Sequence, residues 1–188
     1  SVRMSQKFGE GDFPGLRRVI GLSARLTVFI TLLTAVLSQV ALPGFLYLLR
    51  VPAELSPMAT LYVRILFAGT PCMMFFFFSA STLRAVGNSK TPLFAMITAS
   101  VLNIALDALT VFVFDWGIAG AAGATVCAQA VAGGICAYRI AKTPHLRFHL
   151  SDMARDGAMA KSLMGLGAPL AIQNTIISIG GMVVSAVV

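Results

Sequence analysis

Charge is what this chain has least of. Only 11% of its 188 residues are Asp, Glu, Lys or Arg, against roughly 25% in soluble domains. That shortage excludes an ordinary water-facing globule. Acidic residues are scarcer than basic ones, 7 against 14. The three cysteines, Cys72, Cys127 and Cys136, all sit in apolar stretches without metal-ligand spacing, which excludes a disulfide framework and reads as small buried hydrophobes. Two histidines, His145 and His149, lie in the polar stretch TPHLRFHLSD. Two ligands close no zinc site, so they read as part of a basic, solvated loop. No HExxH, no pair of intramembrane acids and no Ser/His/Asp set occurs in the apolar stretches, so no enzyme emerges.

What is present in abundance is apolar sequence. Hydrophobic residues make up 57% of the chain and the mean hydropathy is +0.87. Stretches of this kind cross a hydrocarbon core about 30 Å thick as helices rising about 1.5 Å per residue. The expected fold is an all-α polytopic membrane protein with spans at 19–49, 58–83, 92–114, 118–138 and from 163 onward. The chain opens on a polar segment that reads as the exit of an earlier helix, and it stops at Val188 inside an apolar run.

Basic residues fall on one side of these spans: Arg3, Lys7, Arg17 and Arg18, then Arg84 and Lys90, then Arg139, Lys142, Arg147, Arg155 and Lys161. The other side carries Arg50, Glu54 and Asp115. The positive-inside rule assigns the basic side to the cytoplasm, so the excess of cations calls for no nucleic acid. The expected location is the plasma (inner) membrane.

Against this background Asp107 stands out as the only carboxylate in 92–114. A charge at such depth costs at least ~2.5 kcal/mol on insertion scales. Asn103 precedes it by one turn, and Ser100, Asn103, Asp107 and Thr110 share a helix face. A proton or cation site at Asp107 with Asn103 as a second oxygen ligand accounts for the penalty; a packing Asp bonded to a neighbouring helix is the plainer alternative. For Ser100 and Thr110 alone, a hydrogen-bonded helix seam suffices. Gly117, Gly120 and Gly123 open the next span at intervals of three and are expected to let helices approach closely. Thr125 follows, either a hydroxyl ligand to a cation at Asp107 or a donor within its own helix.

The run from Arg84 to Gln129 resembles the multidrug and toxic compound extrusion (MATE) transporters. It contains R-x-x-G-x-S-K-x-P (Arg84, Gly87, Lys90, Pro92), N-x-x-L-D (Asn103, Leu106, Asp107) and G-I-x-G-A-A-x-A-T (Gly117, Gly120, Thr125). SQKFGEGD and GAPLAIQNTIISIGG resemble the end of the family's second helix and its seventh. Residues 158–188 hold no acid and Gln173 lies among them, which makes the chain more similar to the DinF-like bacterial branch.

The resemblance implies a twelve-helix, two-lobe transporter, of which this chain is a fragment from the end of helix 2 to part of helix 7. Residues 1–150 would belong to the N-terminal lobe, and 151–188 to the inter-lobe loop and the start of the C-terminal lobe. It implies a monomeric antiporter that couples inward Na+ or H+ to efflux of organic cations, with no cofactor beyond the coupling ion. It also implies a cation site at Asn103, Asp107 and Thr125, completed by an Asp outside this sequence. Two other readings stay open: a lipid or polysaccharide-precursor flippase of the same superfamily, and a non-transporting scaffold. The orientation is directly testable. Cysteines introduced by Asn88→Cys and Thr143→Cys should react with impermeant reagents from the cytoplasmic side, and Ser56→Cys from the outside. External labelling at position 88 would invert every depth assigned above.

Overall fold

The computed structural model describes residues 2–48, 56–146 and the single position 165. The expected fifth span, the expected boundary after residue 150, and His149 therefore lie outside the described residues. Within them the chain is helical: α1 (Val2–Gly9), α2 (Phe13–Leu48), α3 (Ser56–Ala68), α4 (Thr70–Ala85), α5 (Lys90–Ala108), a π-helical turn (Leu109–Val113), α6 (Gly117–Lys142) and a short 3-10 turn (Pro144–Leu146). Four stretches are long and apolar enough to cross a membrane: Phe13–Leu42, Pro57–Ala85, Lys90–Val113 and Gly117–Lys142.

Three of the expected boundaries move for identifiable reasons. Helix α2 starts six residues before the apolar run because Asp12 caps it, its Oδ1 accepting from the Gly15 amide at 2.9 Å. Pro14 sits in the first turn, where its missing N–H has no partner to lose. The Asp12 carboxyl is held below its ordinary range by that amide and by Lys7, whose ammonium lies 3.0 Å away. The second span is one crossing made of two helices, broken at Gly69. Pro71 removes a helical N–H and its ring opposes the carbonyl four residues back. At the break Val126 of α6 packs against the bare Cα of Gly69. The third span ends in a π turn, described below, rather than in regular helix.

The connection from α4 to α5 explains why R-x-x-G-x-S-K-x-P turns where it does. The Gly87 amide bonds to the Arg84 carbonyl at 3.0 Å and the Asn88 amide to the Leu83 carbonyl at 2.9 Å. This closes a Schellman stop with Gly87 at φ +81, where a side chain would be strained. Asn88 then turns its Oδ1 to the Thr91 amide at 3.1 Å and caps the start of α5.

Packing is uneven along the membrane normal. Leu16, Val19 and Ile20 of α2, Ala80 and Leu83 of α4, Ala95 and Ala99 of α5, and Ala128, Ala132, Cys136 and Ile140 of α6 form one buried cluster. Most lie in the half of their spans nearest the basic connections, while Thr31, Leu42, Thr110, Ala122 and Ala124 are buried in the other half. The opposite half exposes Val28, Phe29, Leu33, Val36 and Val40 of α2, Ile104 of α5 and Phe112 of the π turn, surfaces suited to lipid or further helices. Cys136 is buried but Cys127 is exposed, so the expectation of three buried thiols holds only in part: residue 127 faces away from the seam while 128 faces into it.

The three glycines expected to act alike do not. A Cβ on Gly120 would stand 2.7 Å from the Thr110 Cβ, whereas nothing lies within 4 Å of one on Gly123. Gly117 serves the turn instead, at φ +53. Gly133 is a close-approach position that spacing did not reveal, its Cβ falling 2.6 Å from the Phe75 ring. Gly120→Ala should therefore lower the amount of folded protein in the membrane, by a penalty on the order of 1–3 kcal/mol for overpacking, while Gly123→Ala should be neutral. Size-exclusion profiles of the two variants in detergent test this; equal profiles would refute it.

Candidate cation site

Helices α5 and α6 form an antiparallel hairpin joined by residues 114–116. Their shared seam is made of small side chains one turn apart: Ala95 and Ala99 on α5, and Ala124, Ala128, Ala132 and Cys136 on α6, all buried. Continuing by four from Ala99 leads to Asn103 and then to Asp107. The small residues let the backbones approach, and the polar residues take the next places along the same face. Asn103 donates from Nδ2 to the Thr125 Oγ1 at 3.4 Å, a long bond that joins the two helices. The Thr125 hydroxyl in turn donates to the Ala121 carbonyl at 3.1 Å, so Thr125 is a donor within its own helix and also the acceptor for Asn103.

Asp107 lies one turn beyond Asn103 toward the outer end and is half-buried. Its Oδ1 is closed off from solvent and has no hydrogen-bond partner. The plain structural reading of Asp107, a carboxylate bonded to a neighbouring helix, finds no such bond at Oδ1. The structure thus brings Asn103 and Thr125 together and sets Asp107 beside them with an unsatisfied oxygen.

Immediately after Asp107 the helix widens. The Phe114 amide reaches the Leu109 carbonyl at 3.1 Å and the Trp116 amide reaches the Thr110 carbonyl at 2.9 Å. Thr110 stabilises this turn through its Oγ1, which donates to the Leu106 carbonyl at 2.8 Å and lies 3.3 Å from the Asp107 carbonyl. Its side chain is buried against Gly120. Thr110 thus lies in the seam by packing, while its hydroxyl bonds within its own helix and not across to α6 as a hydrogen-bonded seam would require. Asp115 adopts φ +53 in the connection, a conformation that Asp tolerates better than most residues.

Below the Asn103–Thr125 pair is a cavity of about 100 Å³ lined by Phe76, Ser100, Asn103, Thr125 and Gln129 among others. Gln129 was not distinguished by sequence; its place one turn after Thr125 was the available signal. Its Oε1 is buried and, like Asp107 Oδ1, has no partner. A larger cavity of about 330 Å³ between α2 and α4 is walled by Val28, Leu32, Pro71, Met74, Phe75 and Phe78 and offers a cation no carboxylate or amide. At the basic end, Arg17 donates to the Pro144 carbonyl at 3.0 Å and Phe13 stacks on His145 with ring centroids 4.2 Å apart. His145 is therefore a packed, partly exposed ring, and no group of three or more potential metal ligands occurs among the described residues.

These features define a multi-pass helical membrane protein with a polar site on one helix hairpin. A family model described as MatE matches residues 1–109, more than half of the chain. The chain belongs to the MatE family. It is 32% identical over 191 residues to the probable multidrug resistance protein YpnP of Bacillus subtilis, covering 98% of this chain and 41% of that protein. It is 27% identical over 187 residues to the probable multidrug resistance protein NorM of Thermotoga maritima, covering 96% and 40%. A crystal structure of MATE in the bent conformation superposes with a TM-score of 0.88 at 23% identity, over 94% of this chain and 40% of that one. The chain thus spans about two fifths of the length of these relatives.

The Asn103–Thr125 contact yields a prediction independent of transport. Thr125→Val leaves the Asn103 amide facing a methyl group and should lower thermal stability in detergent by about 0.6–1.7 kcal/mol. Thr125→Ser keeps the hydroxyl and should stay closer to the parent. Unfolding curves followed by intrinsic fluorescence test it; a Val variant at least as stable as the Ser variant would reduce Thr125 to a packing residue.

Proposed function

We propose that this chain is part of a secondary active exporter, resident in the plasma membrane, in which an inward-moving Na+ or H+ is exchanged for an organic cation or drug. The observation that carries the reading is Asp107, a carboxylate with a closed-off, unpartnered oxygen on a membrane-spanning helix beside the Asn103–Thr125 pair. Membership of the MatE family and similarity to probable multidrug resistance proteins support the direction of transport and the kind of substrate.

The mechanism follows from the cost of the charge. Ionised and unpaired, Asp107 disfavours any arrangement that exposes its face to hydrocarbon. A cation at the carboxylate, with the Asn103 and Thr125 oxygens as further ligands, lowers that penalty. The two conformations of the lobe are then weighted differently with the ion bound and with it absent, which is the requirement for coupling. The organic cation would be held between lobes largely by apolar and aromatic surface. A flippase for phosphate-bearing lipids would be expected to line its cavity with cations, yet neither cavity described above is lined by Lys or Arg. Arg64, the deepest cation by sequence, is exposed.

Asp107→Asn keeps the size and removes the charge, so it should abolish gradient-driven export of a fluorescent cation such as ethidium from everted vesicles, with membrane insertion unchanged. Full activity in that variant would sink the coupling role. Loss of folded protein along with export would favour the scaffold reading.

A further inference from the structure

Helices α5 and α6 run in opposite directions, so the residues one turn after Asn103 and one turn after Thr125 diverge along the membrane normal. Asp107 lies about 6 Å toward the outer end from Asn103, and Gln129 about 6 Å toward the basic, inner end from Thr125. The Asn103–Thr125 hydrogen bond sits between them. On its outer side is one closed-off oxygen without a partner, Asp107 Oδ1, and on its inner side is another, Gln129 Oε1. The inner oxygen borders the cavity of about 100 Å³, whose rim also carries Ser100, Asn103 and Thr125. At about 30 Å³ per water, that space takes a cation with two or three waters.

A buried amide oxygen without a partner costs on the order of 1–3 kcal/mol. Phe76, Met96, Ala99 and Ala128 make one part of the wall apolar and Ser100, Asn103, Thr125 and Gln129 the other. Of these polar residues Gln129 carries the buried oxygen without a partner, which packing alone does not explain. From this geometry we infer that Gln129 is a second station for the coupling ion, on the cytoplasmic side of the Asn103–Thr125 pair, and that the ion it accepts is Na+. Amide and hydroxyl oxygens carry lone pairs but do not take up a proton near neutral pH. A station built of Gln129, Ser100, Asn103 and Thr125 therefore serves a hard cation that exchanges water for oxygen ligands. Na+ at Asp107 leaves inward by passing the Asn103–Thr125 pair, whose long bond is the one contact across the hairpin that must yield. Gln129 Oε1 receives it before full hydration.

The inference rests on Asp107 as the site of ion coupling, and its test is separate from the export assay. Purified protein in detergent should be protected against thermal unfolding by Na+, in K+-balanced buffers at fixed pH, as expected for a ligand of the folded state. Gln129→Met, which keeps length but removes the oxygen, should raise the half-protecting Na+ concentration about five-fold, the scale of one lost polar contact. Gln129→Glu should lower it, since the oxygen stays and gains charge. A half-protecting concentration unchanged in Gln129→Met, whatever its yield, overturns the station. So does an unchanged value in Gln129→Glu, or protection of the parent that follows pH and not Na+. Export in vesicles judges the transport reading by itself: a parent protein that exports with proton coupling alone and shows no Na+ protection loses the station and keeps the exporter.

Discussion

Close approach of α5 and α6 is the constraint on which the rest of this arrangement depends. Ala95 and Ala99 against Ala128 and Ala132 are all buried, and no larger side chain could hold the backbones at that separation. The approach brings Asn103 within reach of Thr125, and it leaves room beside them only for a cavity of about 100 Å³. Gly120 extends the same close contact to the outer end, where it receives Thr110. A small-residue seam is by itself ordinary in membranes. Here it also sets the spacing of four that carries Asn103 and Asp107 into line with the packed alanines.

The π turn that follows is the second half of the device. Thr110 donates to the carbonyls of Leu106 and Asp107 while its Cβ and Oγ1 pack against Gly120, so its hydroxyl ties the last turn of regular helix to the widened one. Such turns recur at functional positions, and this one begins two residues after the carboxylate. Helix α5 therefore stays regular up to Asp107 and becomes irregular only beyond it. The aim of the carboxylate is set by α5, and the turn sets where the hairpin closes.

Much of this was legible in the sequence, and what was not has definite causes. The four described spans were legible because an apolar run has one stable solution in lipid, a helix with every backbone group bonded internally. The face shared by Asn103 and Asp107 followed from helical periodicity, and the Arg84–Pro92 turn from its glycine and proline. Periodicity along one helix does not say which residue of a neighbour it meets, so Gln129 beneath the pair was given no role and Gly133 beneath Phe75 was not singled out. Nor does spacing separate glycines by purpose: Gly117, Gly120 and Gly123 look alike in sequence, yet one turns the chain, one admits Thr110 and one meets nothing. The start of α2 was set too late because a hydropathy window cannot see a cap, and Asp12 lies outside the apolar run it initiates.

Magnitudes bound how much a single carboxylate can do on the proposed reading. A penalty of about 2.5 kcal/mol for an exposed charge shifts the balance of two conformations about 70-fold when it is removed. Driving a population from 1:99 to 99:1 takes about 5.5 kcal/mol. Neutralising Asp107 on the insertion scale thus supplies roughly half of a complete switch, and the remainder has to come from contacts that differ between the two states. The packed cluster at the basic end, from Leu16 to Ile140, is an unpromising source, since tightly interlocked cores yield little. The outer half is different: exposed apolar faces on α2, α5 and the π turn await lipid or further helices, and exchanging one for the other changes the energy of the whole hairpin. On the proposed reading an ion at Asp107 would act in the outer half of α5, beside exposed Ile104 and Phe112 and close to the buried Thr110–Gly120 contact, so a change of charge there would bear on lipid-facing and packed surface together.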